Sequence, residues 1–194
     1  MRRLCVFCGS AAGARAEYSE AAQALAAEMA RRGLGLVYGG GSVGIMGVLA
    51  DAALAAGIEV IGVIPRALAT RELAHAGLTE QRLVDSMHQR KAMMAELVDG
   101  FVALPGGLGT LEETLEMLTW TQLGIHGKPL GLLNVARYWD PLLAVLDHAV
   151  AEGFMHRETL ALLLAAEAPA VLLDRLAAWR APARSRVWLS PSQS

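Results

Sequence analysis

Short apolar runs alternate along this chain with longer stretches in which apolar residues recur every three or four positions. The short runs fall at residues 4–8, 35–38, 59–64, 82–84, 101–104 and 130–134, and a further one at 170–172 predicts a seventh strand. Helical spacing predicts helices over 18–32, 44–56, 87–98, 110–123 and 141–152, with shorter ones near 157–165 and 173–179. Strands that alternate with helices predict an α/β fold: a doubly wound parallel sheet of six to seven strands with helices on both faces. In such sheets ligands sit beyond the carboxyl ends of the strands. Residues 1–180 read as one domain, and 181–194, with Pro, Ser and Arg, as a loosely ordered tail.

Composition refines this reading. The chain has 194 residues, is 54% hydrophobic and has a mean hydropathy of +0.38, yet no uninterrupted apolar span reaches membrane length. The excess apolar surface predicts a core plus a subunit interface, and so an oligomer rather than a monomer. A net charge of −2 predicts no general nucleic-acid binding, and no membrane partner is expected. The basic start, Met1-Arg2-Arg3, is followed by too short an apolar run for a signal peptide, so a first strand is expected. Cys5 and Cys8 lie three apart on that strand and so face opposite ways, which disfavours a redox pair or a metal clip; reduced core cysteines predict a cytoplasmic location.

Three glycine-bearing turns fall at strand ends: Cys8-Gly9-Ser10, Gly39-Gly40-Gly41, and Pro105-Gly106-Gly107-Leu108-Gly109-Thr110. Together they form one candidate rim. Gly39 to Gly44 satisfies G-x-G-x-x-G, but it follows the second strand, and the third ends in Pro65 without the acid that holds a ribose. A glycine-rich wall of a mononucleotide site, or tight packing of helix on strand, fits better than a dinucleotide site.

The third turn leads into a helix, and backbone N–H groups at such a junction suit a phosphate. Thr110-Leu111-Glu112-Glu113 also fits a capping box, with Thr110 as N-cap. That reading leaves the glycines unexplained. A carboxylate at Glu113, one turn past an anion site, makes sense if it acts on something attached to the phosphate. Met87, Arg90, Lys91 and Met94 share one helix face, either as a core stripe with a basic edge or as a wall for a flat heterocycle beside a phosphate. The histidines show no metal-ligand spacing, and neither a serine-hydrolase elbow nor a Walker lysine occurs. No cofactor is expected.

The combination of Phe-Cys-Gly-Ser, Tyr-Gly-Gly-Gly-x-x-Gly-x-Met-Gly, Met-His-x-Arg-Lys-x-x-Met and Pro-Gly-Gly-x-Gly-Thr-x-x-Glu resembles the Lonely Guy (LOG) family, over roughly residues 2–155. The resemblance implies a Rossmann-like fold and hydrolysis of the N-glycosidic bond of AMP or an N6-substituted AMP. It implies Arg90 and Glu113 as the catalytic pair. It implies substrate contacts at Glu72, Arg90, Lys91, Gly107, Leu108, Gly109, Thr110, Glu113 and Thr119. Gly9, Ser10, Gly40, Gly41 and Met87 complete the expected substrate wall. Two departures, Leu108 where plant members carry Tyr and Ser86 where Asp is common, bear on preference for the base. The alternatives are a nucleotide or molybdenum-cofactor carrier without turnover, and a lysine decarboxylase. The latter would need a Schiff-base lysine, and the chain offers only Lys91 and Lys128.

Overall fold

The computed structural model describes residues 1–69 and 74–181. Seven parallel strands, β1 (Arg3–Phe7), β2 (Gly35–Tyr38), β3 (Val60–Pro65), β4 (Glu80–Val84), β5 (Gly100–Ala103), β6 (Leu130–Leu133) and β7 (Leu163–Ala166), form one sheet in the order β4-β3-β2-β1-β5-β6-β7. The main helices are α1 (Ala16–Arg31), α2 (Gly44–Ala55), α4 (Met87–Glu96), α5 (Leu108–Leu123), α6 (Asp140–Ala151) and α8 (Pro169–Ala178). Single-turn α3 (Arg66–Ala69) and α7 (Arg157–Leu160) lie between them.

The alternation of side chains along each strand divides the core in two. Leu4, Val6 and Cys8 pack with α1, α2 and α8, whereas Cys5 and Phe7 face α4, α5 and α6. The doubly wound expectation therefore holds, and the two cysteines lie on opposite faces as the spacing predicts. Both are buried free thiols, and burial pushes both well above the ordinary thiol range.

The seventh strand corrects the sequence reading. It lies at Leu163–Ala166, overlapping the end of the stretch 157–165 read as a helix, while residues 170–172 belong to α8. Pro169 explains the second point: its fixed φ and missing N–H suit the first turn of a helix, after an extended Ala168. The run at 163–166 is short and leucine-rich, so its local propensity is helical, and pairing with β6 overrides it.

The order of strands reverses between β1 and β5. The helix after β1 leads outward on one side, toward β2, and the helix after β5 leads to β6 on the other. This leaves a crevice at the carboxyl ends of the two central strands. Among the described residues no helix is long and apolar enough to cross a membrane.

Candidate active site

The three glycine-bearing turns meet at this crevice. The Gly9 N–H donates to the Pro105 carbonyl (3.1 Å), and the Met46 N–H donates to the Gly9 carbonyl (3.3 Å), which ties all three together. The Tyr38 hydroxyl donates to the Gly41 carbonyl (3.1 Å) and holds the second turn from beneath. Gly9, Gly40 and Gly41 are buried in the wall, while Ser10, Gly107, Leu108 and Gly109 are exposed along the rim. Gly106 is required by crowding: a Cβ there would stand 2.1 Å from the Thr110 hydroxyl and 2.8 Å from the Gly9 nitrogen.

Helix α5 begins at Leu108 with Gly107 as an extended N-cap that makes no side-chain cap bond. The capping-box reading of Thr110 and Glu113 is thereby overturned. Both residues lie inside the helix, three apart, and both are buried on the side facing the sheet. The free N–H groups of this first turn open toward the rim with no side chain closing them. Leu108, 85% exposed, stands beside them.

Helix α4 delivers the cation. Ser86 is its N-cap, accepting from the Gln89 N–H (3.1 Å), and the Gln89 side chain accepts in return from the Asp85 N–H (2.8 Å). One turn on, Arg90 donates through Nε to the Val63 carbonyl (3.0 Å) and through Nη2 to the Gly39 carbonyl (3.4 Å). The first carbonyl lies within β3 and the second just past the end of β2. A Cβ on Gly39 would lie 2.1 Å from Nη2, so this glycine is what admits the guanidinium. Nη1 then faces Glu113 Oε1 at 3.6 Å. That is an ion pair, but longer than a charge-assisted hydrogen bond, and both side chains are nearly buried. Burial raises the Glu113 carboxyl to about 7, with Arg90 and Lys91 pulling it down and Glu112 and Glu116 pushing it up. A carboxyl poised near neutrality beside a fixed cation is equipped for proton transfer at physiological pH.

The other expected residues divide. Met87 is half exposed, and its sulfur lies 3.8 Å from Arg90 Nη1. Lys91 points away from the crevice. It is 7% exposed and paired with Glu112 and, at 2.9 Å, with Glu116, both on α5. Burial works to lower its ammonium pKa, but the two carboxylates outweigh this and raise it. Thr119 is exposed and donates to the Leu115 carbonyl (2.8 Å). Six residues beyond Glu113, it is about 9 Å further along the helix and on another face, so within one chain it does not join the cluster. Glu72 lies outside the described residues. Among the described residues no group of His, Cys, Asp and Glu is arranged to hold a metal. Lys128, the other lysine, is half-buried and donates to the Ala95 carbonyl at the end of α4 (2.5 Å); burial lowers its pKa.

Sequence reading missed Tyr138. Its hydroxyl reaches the Gly106 carbonyl from the loop after β6, and no motif marks it.

Residues 46–176 match a family model described as "Possible lysine decarboxylase". The cytokinin riboside 5'-monophosphate phosphoribohydrolase LOG of Oryza sativa subsp. japonica is 50% identical over 175 residues, covering 90% of this chain and 72% of its own. LOG3 of Arabidopsis thaliana, of the same description, is 49% identical over 186 residues, covering 96% and 86%. Among solved structures, the molybdenum cofactor carrier protein of Chlamydomonas reinhardtii superimposes with a TM-score of 0.69 at 22% identity, covering 92% of this chain and 99% of that one. That likeness is one of fold.

Proposed function

The chain belongs to the Lonely Guy (LOG) family, and on that premise we propose that it hydrolyses the N-glycosidic bond of AMP or an N6-substituted AMP, releasing the free base and ribose 5-phosphate. The observation that carries this reading is the Arg90–Glu113 pair, nearly buried beside an open glycine turn at the switch point of the sheet. A site built only to hold an anion gains nothing from a carboxylate within the same first turns of helix.

Cleavage passes through an oxocarbenium-like ribose, so the protein must stabilise positive charge at C1′ and supply an activated water. The N–H groups of Gly107 to Thr110 hold the 5′-phosphate, and that anchor sets C1′ against Glu113. Glu113, as the anion, stabilises the ribosyl cation formed as the C1′–N9 bond breaks and the purine leaves with the electron pair. It takes a proton from the water that adds to C1′, and a proton taken up by the purine restores the balance as neutral base and ribose 5-phosphate depart. Arg90, fixed by two strand carbonyls, orients the carboxylate and offsets part of its charge. The exposed Leu83, Met87 and Leu115 on β4, α4 and α5 support a homodimer or dimer-based assembly that brings a second chain beside the site.

The "lysine decarboxylase" description has no support in the lysines. Lys91 is neutralised by two carboxylates, Lys128 is bonded to a helix-end carbonyl, and neither faces the crevice. The test is base release: wild type and Glu113→Gln incubated with AMP and N6-isopentenyl-AMP, followed by chromatography. Release by wild type alone is the expected result. Binding without release from either nucleotide would overturn the hydrolase in favour of a carrier.

A further inference from the structure

The loop between β6 and α6 is costly in conformation. Ala136 (φ 48°) and Arg137 (φ 61°) are consecutive and left-handed, the only non-glycine residues with positive φ among those described. Each pays a steric penalty because its Cβ crowds its own backbone. The surrounding bonds fix this shape. Asn134 donates from its side chain to Asp140 (2.8 Å) and accepts the Trp139 N–H (2.8 Å), while Arg137 Nε pairs with Asp140 at 2.6 Å. Strain that persists under such bracing is often tied to function.

What the loop delivers is Tyr138. Its ring stands edge-on to Tyr18 (5.8 Å, 77°) and to Trp139 (5.0 Å, 86°). Its hydroxyl donates across 32 residues to the Gly106 carbonyl, at 2.5 Å. In a trans peptide the C=O and the N–H point opposite ways. A donor that holds the Gly106 carbonyl from one side therefore aims the Gly107 N–H to the other. Gly107 is the exposed N-cap of α5, and a Cβ built there would meet nothing within 4 Å. Without that hydroxyl the 106–107 peptide, flanked by two glycines, is free to turn its carbonyl toward the anion and repel it.

We propose that Tyr138 is a positioning residue of the phosphate cradle, its hydroxyl fixing the Gly106–Gly107 peptide with the N–H toward the substrate's 5′-phosphate. The proposal rests on the cradle assigned above but not on turnover. The bond is worth about a 5- to 10-fold change in phosphate affinity.

Tyr138→Phe tests it, since only the hydroxyl is lost. In a Glu113→Gln background, where turnover is blocked, AMP and adenosine affinities are measured by calorimetry with and without Tyr138→Phe. AMP binding is expected to weaken by about 5- to 10-fold and adenosine binding to stay within twofold. In the otherwise wild-type enzyme, kcat/KM for AMP is expected to fall by at least a similar factor. Ala136→Gly, which relieves strain and keeps the hydroxyl, is expected to leave AMP affinity unchanged and to raise the melting temperature. Unchanged AMP affinity in Tyr138→Phe, or equal losses for AMP and adenosine, would overturn the proposal. AMP binding that depends on Tyr138 without base release from wild type would sustain it and refute the hydrolase reading alone.

Discussion

A buried carboxyl that titrates near 7 is held at a cost to the fold, and the cost has a definite pH signature. Burial lifts Glu113 from 4.5 to about 7. Between those values the folded chain keeps a proton that the unfolded chain has released. Stability from this group is therefore complete below pH 4.5 and is lost as pH rises through about 7. The loss is about 3 kcal/mol in all, of which about 2.5 kcal/mol falls between pH 5 and pH 8. Glu113→Gln resembles the protonated form at every pH and loses nothing. The stability difference, variant minus wild type, is therefore expected to grow by about 2.5 kcal/mol from pH 5 to pH 8. For a chain of this length that is roughly 5–10 °C in melting temperature. Taking the change in the difference removes other titrating groups. It also removes the effect of leaving Arg90 beside an amide. The facing charges, Arg90, Lys91, Glu112 and Glu116, are common to both proteins. The assay is urea unfolding of both at the two pH values and one protein concentration, so that association does not differ. A difference that stays constant, or a wild type that gains on the variant as pH rises, would refute the assignment of burial as the dominant influence on Glu113.

Three further outcomes follow from the same geometry. The kcat/KM for AMP is expected to climb tenfold per pH unit below a midpoint near 7 and to level above it, because the anion is the proposed working form of Glu113; a flat profile from about pH 5.5 to 8.5 would exclude that role. Gly39→Ala places a Cβ 2.1 Å from Arg90 Nη2 and is expected to cost about 10²-fold in kcat with an unchanged far-UV spectrum; retained activity would show that Arg90 need not sit on the β2 carbonyl. Lys91→Met strips Glu116 of its cation and, since the carboxylates it leaves reach solvent, is expected to destabilise by about 1–2 kcal/mol in urea, with Glu116→Gln restoring part of the loss; a change below about 0.5 kcal/mol would show the pair to be idle.

Much of this is legible in the sequence. Strand period two predicted that Cys5 and Cys8 would part, and the turns at Gly9, Gly39 and Pro105 did converge, because a doubly wound sheet puts every strand end on one side. What stayed hidden depended on tertiary competition. Residues 163–166 carry helix-forming leucines and pair as a strand only because β6 offers an edge. Thr110 and Glu113 have capping-box spacing, but Gly107 starts the helix three residues earlier and sends both inward. Arg90 and Lys91 are neighbours of like charge, and periodicity could not reveal that one turns to the crevice and the other to α5. Tyr138 had no signal at all, since Ala136 and Arg137 are unremarkable residues in an unusual backbone conformation.

The two carbonyls that grip Arg90 bear on how the proposed chemistry could be moved between proteins. The turn and its acid form a contiguous cassette, residues 105–113, that one strand and one helix can carry. The cation is not part of it. Its guanidinium is aimed by the backbone oxygens of Val63, within β3, and Gly39, just past β2, and their spacing follows from the pairing of Tyr38 with Gly62 and of Val37 with Ile61. A scaffold given the cassette alone would inherit the glycine turn and a stray carboxylate. To gain the Arg90–Glu113 pair it would also need two neighbouring strands in this register, with a residue lacking a Cβ where Gly39 now stands.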